Sequence, residues 1–537
     1  MIKPINEKLI KSQLNFGENM KKTILFFSLF FLLASASKAQ VIQRIYFDRF
    51  THYNIDDWVT YAPATDITAV EIGDDYVYFG TRFGGILRYH LYDDYWDFPF
   101  TTSSGLRSNQ ILALSYDSNS RLLYAKTPKG VDVYNFAFQY WLPAQRDMPE
   151  PRQPDAEEIK YYQKEKNKVR FPAYYRPSLK ELPDLFTDRT YLFRPPDEIL
   201  DPYNRIFHLK DIGVVDKFNR LWIATDGLGP AWINLNDNTL HLMRRSIANI
   251  YPQDLFFDGA DIWVGGIRNG LEPAGICLWQ NDPDVWFYYE EGLVTGIAND
   301  NVNAIDGTQR YIFFGTELGV VRYDKKKNDW TTFTRAQRLL SEKINDLLVV
   351  GNTLYIATDR GFNWLDIGYK NIQRSRDTKL NSIPVSRMAA DDSLLYLATP
   401  YGIYQYDPNN DRVSVMKTGS AVFDVNVDVV GVYLDTLWFA GSGGVAFFDP
   451  KTKHWNSFTQ IQMRFYDIAF TGGTVWFGTD QGLLKYEAAR NYWYLYTTRD
   501  GLADNHVYRI DIDDVDLWLS TRGGVTVFRW YRPGKTE

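Results

Sequence analysis

One short phrase returns along this chain: an apolar run, Gly or Ala followed by Thr, two variable residues, then Gly. It stands as Val77-Tyr78-Phe79-Gly80-Thr81…Gly84, as Leu354-Tyr355-Ile356-Ala357-Thr358…Gly361 and as Val475-Trp476-Phe477-Gly478-Thr479…Gly482. Intact or worn copies end at Thr81, Thr127, Thr225, Gly266, Thr316, Thr358, Thr399, Gly441, Thr479 and Thr521, and the last six are separated by 42, 41, 42, 38 and 42 residues. A period of about 40 with strand-forming content marks a repeat architecture, in which a unit covers its faces only by stacking on its neighbours.

Each repeat divides into four short runs. Around Thr316 these fall at 302–305, 311–316, 319–323 and 329–334, parted by the turn residues Asp306-Gly307, Asp324 and Asn328. The runs are rich in Val, Ile, Tyr, Phe, Trp and Thr, which suit a pleated surface, and the residues between them tolerate tight hairpins. The pattern predicts an all-β fold, a β-propeller of about ten four-stranded blades. The last repeat ends without its outer strand, while Trp58-Val59-Thr60-Tyr61 matches the outer strands that carry Trp330, Trp455 and Trp493. An N-terminal strand completing the last blade would close the array, and one ring of about ten blades is favoured over two tandem rings.

The first stretch differs in kind. Lys21-Lys22, an apolar run over 24–33 and Ser37-Lys38-Ala39 read as a secretory leader cut before Gln40, translated from Met20 with an upstream extension. This predicts residues 1–39 as extension and signal peptide and 40–537 as the propeller, exported to the periplasm or outer surface, with no transmembrane span after the leader. The whole chain carries a formal charge of −7, and no basic cluster suggests nucleic acid. The single Cys277, in the run Ile276-Cys277-Leu278-Trp279, reads as a buried inert thiol.

At 475–484 (Val-Trp-Phe-Gly-Thr-Asp-Gln-Gly-Leu-Leu), with Tyr486 and Trp493 following, and again at 312–320 with Tyr323-Asp324 and Trp330, the chain resembles the two-component-regulator propeller repeat. Gly501-Leu502…Asn505-His506-Val507, Gly105-Leu106…Asn109 and Gly292-Leu293…Asn301-Val302 carry a second trait of that family. The resemblance spans about 56–537 apart from one insertion. It implies the sensor half of a membrane histidine kinase, often responding to carbohydrate. This chain departs from that plan, with no second hydrophobic span and no kinase, so a stand-alone propeller is expected.

Turns after each phrase should project from one face, where a rigid scaffold presents variable side chains. The candidate ligand-binding residues there are Arg82, Phe83, Lys129, Arg268, Glu317, Asp359, Arg360, Tyr401, Asp480, Gln481 and Arg522, with His506 beside them. From Thr127 to Thr225 is 98 residues, more than twice the period, and the extra segment over about 145–204 is rich in proline. Its aromatics Tyr161, Tyr162, Tyr174, Tyr175, Phe186 and Tyr191 are candidate partner contacts, and the segment is expected either to grip a partner or to strap a blade interface. The six histidines have no ligand spacing, and no nucleophile or phosphate motif is present. No metal, cofactor or catalytic residue is assigned. Three roles stay open: a binding or scaffolding module for an envelope protein or polar ligand, a detached carbohydrate sensor, and a lyase or hydrolase acting on polysaccharide.

Overall fold

The computed structural model describes residue 54 and residues 56–531, apart from 164–170, 188–189, 249, 270–274, 283, 370, 419–422, 450–451 and 515. The leader expected at 1–39 lies outside the described residues. Within them the chain forms ten antiparallel sheets, nine of four strands and one of six. In chain order we call these blades 1 to 10. The blade containing Thr316 shows how a repeat becomes a sheet: Val302–Gly307, Tyr311–Thr316, Gly319–Asp324 and Asp329–Phe333 form a meander from inner to outer edge.

The recurring Thr and Gly have a structural cause. Thr316 Oγ1 donates to the Gly319 carbonyl at 2.8 Å and accepts the Leu318 N–H at 3.1 Å, locking the hairpin. The same hydroxyl bond recurs at Thr81, Thr127, Thr225, Thr358, Thr399, Thr479 and Thr521. Gly319 has φ +111°, and a Cβ there would stand 2.1 Å from the Phe333 carbonyl oxygen. Only glycine permits both that backbone conformation and that approach.

The expected N-terminal closure is present. Trp58–Tyr61 pairs antiparallel with Gly524–Phe528, completing blade 10. Trp58 is buried and stacks on Phe528 with centroids 3.7 Å apart.

The closed circuit, however, holds seven blades rather than ten. The inner strands Ile250–Asp258, Val302–Gly307, Ile344–Val350, Arg387–Ala390, Val427–Tyr433, Phe465–Thr471 and Val507–Asp513 pack in that order, and the last packs back on the first. Tyr61 and Trp518 of blade 10 meet Trp279 of blade 4 in the cluster that seals this joint. Blades 4 to 10 are therefore the ring. Blades 1, 2 and 3 form a separate arc in the order 3–1–2, with blade 1 packed on blade 3 through Phe79 and Trp222 and on blade 2 through Tyr78 and Tyr116. The repeat code describes contact between neighbours, and that contact is alike in every blade. It cannot say at which neighbour a stack closes, which is why the ten-membered ring is replaced by seven plus three.

The proline-rich insertion follows blade 2 in the chain and packs on blade 3. Its described part includes a helix at Ala156–Gln163 and a hairpin of Leu192–Arg194 and Glu198–Leu200. That hairpin joins the inner edge of blade 3 through Ile206–Val215, giving the six-stranded sheet. Phe171, Leu179, Leu182, Leu185, Tyr191 and Ile199 cover the face of blade 3 that another blade would otherwise cover. Arg176 anchors the strap to blade 1, donating to Glu71 at 3.0 Å and to the Val70 carbonyl at 3.1 Å. Arc and ring meet where Arg205 bridges Asp201 and Glu290 at 2.7 and 2.6 Å, and where Arg245 pairs with Asp284 beneath the Trp96 ring.

Candidate functional site

At the mouth end of each inner strand of the ring stands a buried residue, Pro252, Val302, Ile344, Val385, Val427, Phe465 and Val507, and in blade 5 and blade 10 it pairs with the threonine that ends the next strand, Val302 with Thr316 and Val507 with Thr521. The residue that follows in each blade is half-buried at the axial mouth: Gln253, Asn303, Asn345, Ser386, Asp428, Tyr466 and Tyr508. The pairing places this circle on the same face as the Thr-x-x-Gly turns. Asn303 Nδ2 reaches turn residue Glu317 at 3.1 Å and the Ile344 carbonyl of the next blade at 2.9 Å. Asn345 and Ser386 make the same step to Val385 and Asp428 at 2.9 and 2.7 Å.

The circle is chemically divided. Across blades 9, 10 and 4 it is aromatic and basic: Tyr466 and Tyr508 meet edge to face at 5.2 Å, Arg464 lies over Tyr466, and Arg522 lies over Tyr251. His506 is held to Asp504 at 3.0 Å beside Tyr508. Across blades 5 to 8 it presents the amides of Asn303 and Asn345, the Ser386 hydroxyl and the Asp428 carboxylate. Burial pushes Asp428 up from its ordinary value, and raises Tyr466 and Tyr508. Asp359 Oδ1, at the turn of blade 6, is buried with no hydrogen-bond partner among the described residues.

Below the mouth the axis is filled by charge. Arg387 extends across it, donating to the carbonyls of Asn345 and Tyr466, each at 3.0 Å. Arg509 contacts Asp254 at 3.1 Å, Asp346 at 3.3 Å and Asp467 at 3.6 Å. The second oxygen of each of these carboxylates accepts a backbone N–H from the following blade, Asp254 from Ile305, Asp346 from Met388 and Asp467 from Ile510. Each aspartate thus staples one blade to the next, while the arginines hold the staples at the centre. The circle therefore lies next to an axis closed by charged side chains.

The ring brings together Glu317, Asp359, Arg360, Tyr401, Asp480, Gln481, Arg522 and His506, of which Arg360, Tyr401, Gln481 and Arg522 are exposed. Arg268 belongs to the same face but is bound by Glu291 and by the buried Asp300 at 3.2 Å. Arg82, Phe83 and Lys129 lie on blades 1 and 2, so they stand on the arc and apart from the circle. In the insertion, Tyr161 and Phe186 are exposed and Tyr162 contacts Tyr161. Tyr174 sits under Arg152 and bonds through its backbone to Val215, Tyr175 stacks on Phe171, and Tyr191 packs on blade 3. The circle of seven was missed from sequence, although aligning the repeats on Val302, Ile344, Val385, Val427, Phe465 and Val507 exposes a varying next position. Trp222, Trp263, Trp438 and Trp476 are buried in blade interfaces, as their repeat position suggests. Cys277 is buried, its sulfur accepts the Ala248 N–H, and burial pushes its thiol up to about 12.

The fold is a β-propeller. The chain is similar to the extracellular domain of the putative hybrid two component system BT3049 from B. thetaiotaomicron, at 15% identity and TM-score 0.45, over 87% of this chain and 68% of that one. It is similar to the extracellular domain of the putative one component system BT4673 from the same organism, at 13% identity and TM-score 0.44, over 88% and 71%. It is also similar to YCF48 bound to D1 peptide, at 14% identity and TM-score 0.41, over 52% and 91%. No family profile and no curated protein matches the chain. Among the described residues no helix is long and apolar enough to cross a membrane, and no group of three or more His, Cys, Asp or Glu side chains is placed to hold a metal ion.

Proposed function

We propose that this protein is an exported, non-enzymatic propeller that binds a polar ligand or an envelope partner at the mouth of its seven-bladed ring. The observation that carries this reading is the circle of Gln253, Asn303, Asn345, Ser386, Asp428, Tyr466 and Tyr508 above a closed charged floor. Core positions of the repeat are constant because packing requires it; this circle varies from blade to blade at one structural position. Aromatic faces beside amides, a carboxylate and guanidinium groups suit a hydroxyl-rich or mixed-charge ligand. The insertion is the weaker partner site, because Tyr174, Tyr175 and Tyr191 are committed to holding the strap on blade 3.

The test is calorimetric titration of envelope oligosaccharides, with parallel capture of envelope proteins, on the native protein, on Tyr466→Ala/Tyr508→Ala and on Tyr161→Ala/Phe186→Ala. Loss of binding only in the mouth variant supports the reading. Loss only in the insertion variant moves function to the strap, and product formation from an oligosaccharide revives the enzyme alternative.

A further inference from the structure

The three-bladed arc ends in two different ways. At blade 3 the insertion lies over the terminal face. At blade 2 no described segment joins a core cluster on the corresponding face, and the strands show it. In Leu122–Thr127, Leu123, Ala125 and Thr127 are buried, whereas Leu122 and Tyr124 are half-buried and Lys126 is exposed. The equivalent strand inside the ring, Tyr311–Thr316, is buried at all six positions because blades cover both faces.

The pairing register gives the layout of the bare face. Its central row is Tyr124, Val133 and Leu142, continued by the buried Ser115 on the inner strand, with Ala113, Lys126 and Val131 toward one end and Asp117, Leu122, Asn135 and Tyr140 toward the other. Leu142 is exposed, as are the neighbouring Leu112 and Phe138. It is an apolar sheet face with one cation near one end and one carboxylate at the opposite end.

We infer that this face pairs with the same face of a second copy of the chain about a two-fold axis. Among the described residues the arc has one bare end, since the other is capped, so association through it closes at two copies and leaves nothing to propagate. The charges agree with one orientation. A two-fold axis in the contact plane and perpendicular to the strands reverses the face end for end. It sets Lys126 of each copy one strand away from Asp117 of the other, a lateral offset of about 4.8 Å. An axis along the strands would instead set these charges against Val131 and Tyr140. Four strands of four to six residues make a face of roughly 330 Å². That is the small end of specific contacts, so the pairing belongs in the micromolar range of concentration.

Sedimentation velocity from about 1 to about 100 µM reads the result directly. The native protein is expected to pass from monomer to dimer across that range. Val133→Lys is expected to weaken the dimer at least tenfold, to about the limit of the concentration range. Lys126→Asp alone should weaken it, and Lys126→Asp with Asp117→Lys should restore it, which distinguishes a lost contact from a damaged blade. A native chain that stays monomeric at the highest concentration overturns the inference, as does a dimer that none of these substitutions moves.

Discussion

Arg509 Nε lies 3.1 Å from the Asp254 carboxylate, joining the last blade of the ring to its first. The same guanidinium reaches Asp467 on the neighbouring blade 9 and Asp346 on blade 6, across the ring. Arg509→Met removes the cation and leaves three buried carboxylates without it. Such a change typically destabilises by about 3–5 kcal/mol, because the partners keep their desolvation penalty. Calorimetric unfolding of Arg509→Met should show that loss, and Arg509→Lys an intermediate one, since an ammonium cannot bridge three carboxylates with a planar fork.

Burial pushes Asp254 up to about 7 and Asp306 up to about 6, against the pull of Arg509 and of backbone donors. The folded state therefore holds protons that the unfolded chain has released between its ordinary carboxylate range, near 4, and about pH 7. Stability is greatest below that window and falls as pH rises through it. The expected outcome is a Tm higher at pH 5 than at pH 8 by roughly 2–4 °C. Asp306→Asn should shrink the difference, and an unchanged Tm across that interval would show that the axial acids do not titrate as the ring holds them.

The strap depends on one ion pair inside the arc. Burial pushes Glu71 up to about 7 even with Arg176 beside it. Arg176→Ala should leave a buried acid unpaired and free the insertion from blade 1, at a cost of about 3 kcal/mol. Limited proteolysis should then cut within 145–204 much faster than in the native protein, with the ring fragment surviving intact.

Gly319→Ala places a Cβ against the Phe333 carbonyl at a positive φ, and about 1–3 kcal/mol of backbone strain is expected. Thr316→Val keeps the shape but removes the hydroxyl bridge to Gly319, for about 1 kcal/mol. Chemical denaturation of the two variants separates the roles of the turn's two signature residues.

Trp58→Ala tests closure. Trp58 is buried against Phe528 and Tyr496, so the expected loss is about 3–5 kcal/mol. Blade 10 should open first, seen as accelerated amide exchange in Gly524–Phe528.

Much of this fold was readable because the repeat is local. Thr316 and Gly319 lie three residues apart and close their own hairpin, so their recurrence announces a blade wherever it occurs. Trp58 was readable as a displaced outer strand because it carries the signature of Trp330 and Trp493. The site was only half readable. Turn residues such as Glu317 and Tyr401 stand where the turns predict, but Arg268 is consumed by Glu291 and Asp300, which no spacing reveals. The circle through Tyr466 and Tyr508 joins blades 42 residues apart in position, and the axial salt bridge from Arg509 to Asp254 spans most of the ring.

By itself, then, the sequence determined the blade: its four strands, its hairpin chemistry, the number of copies and the strand that completes the last one. Tertiary structure decided that seven copies close while three form an arc, that the insertion seals one end of that arc, and that seven half-buried residues meet at one mouth. The division follows from the range of the forces. Turn geometry and strand pairing act over a few residues and leave their mark in every repeat, whereas ring closure is the sum of many small packing angles and is settled only when the last blade meets whichever earlier blade its face fits.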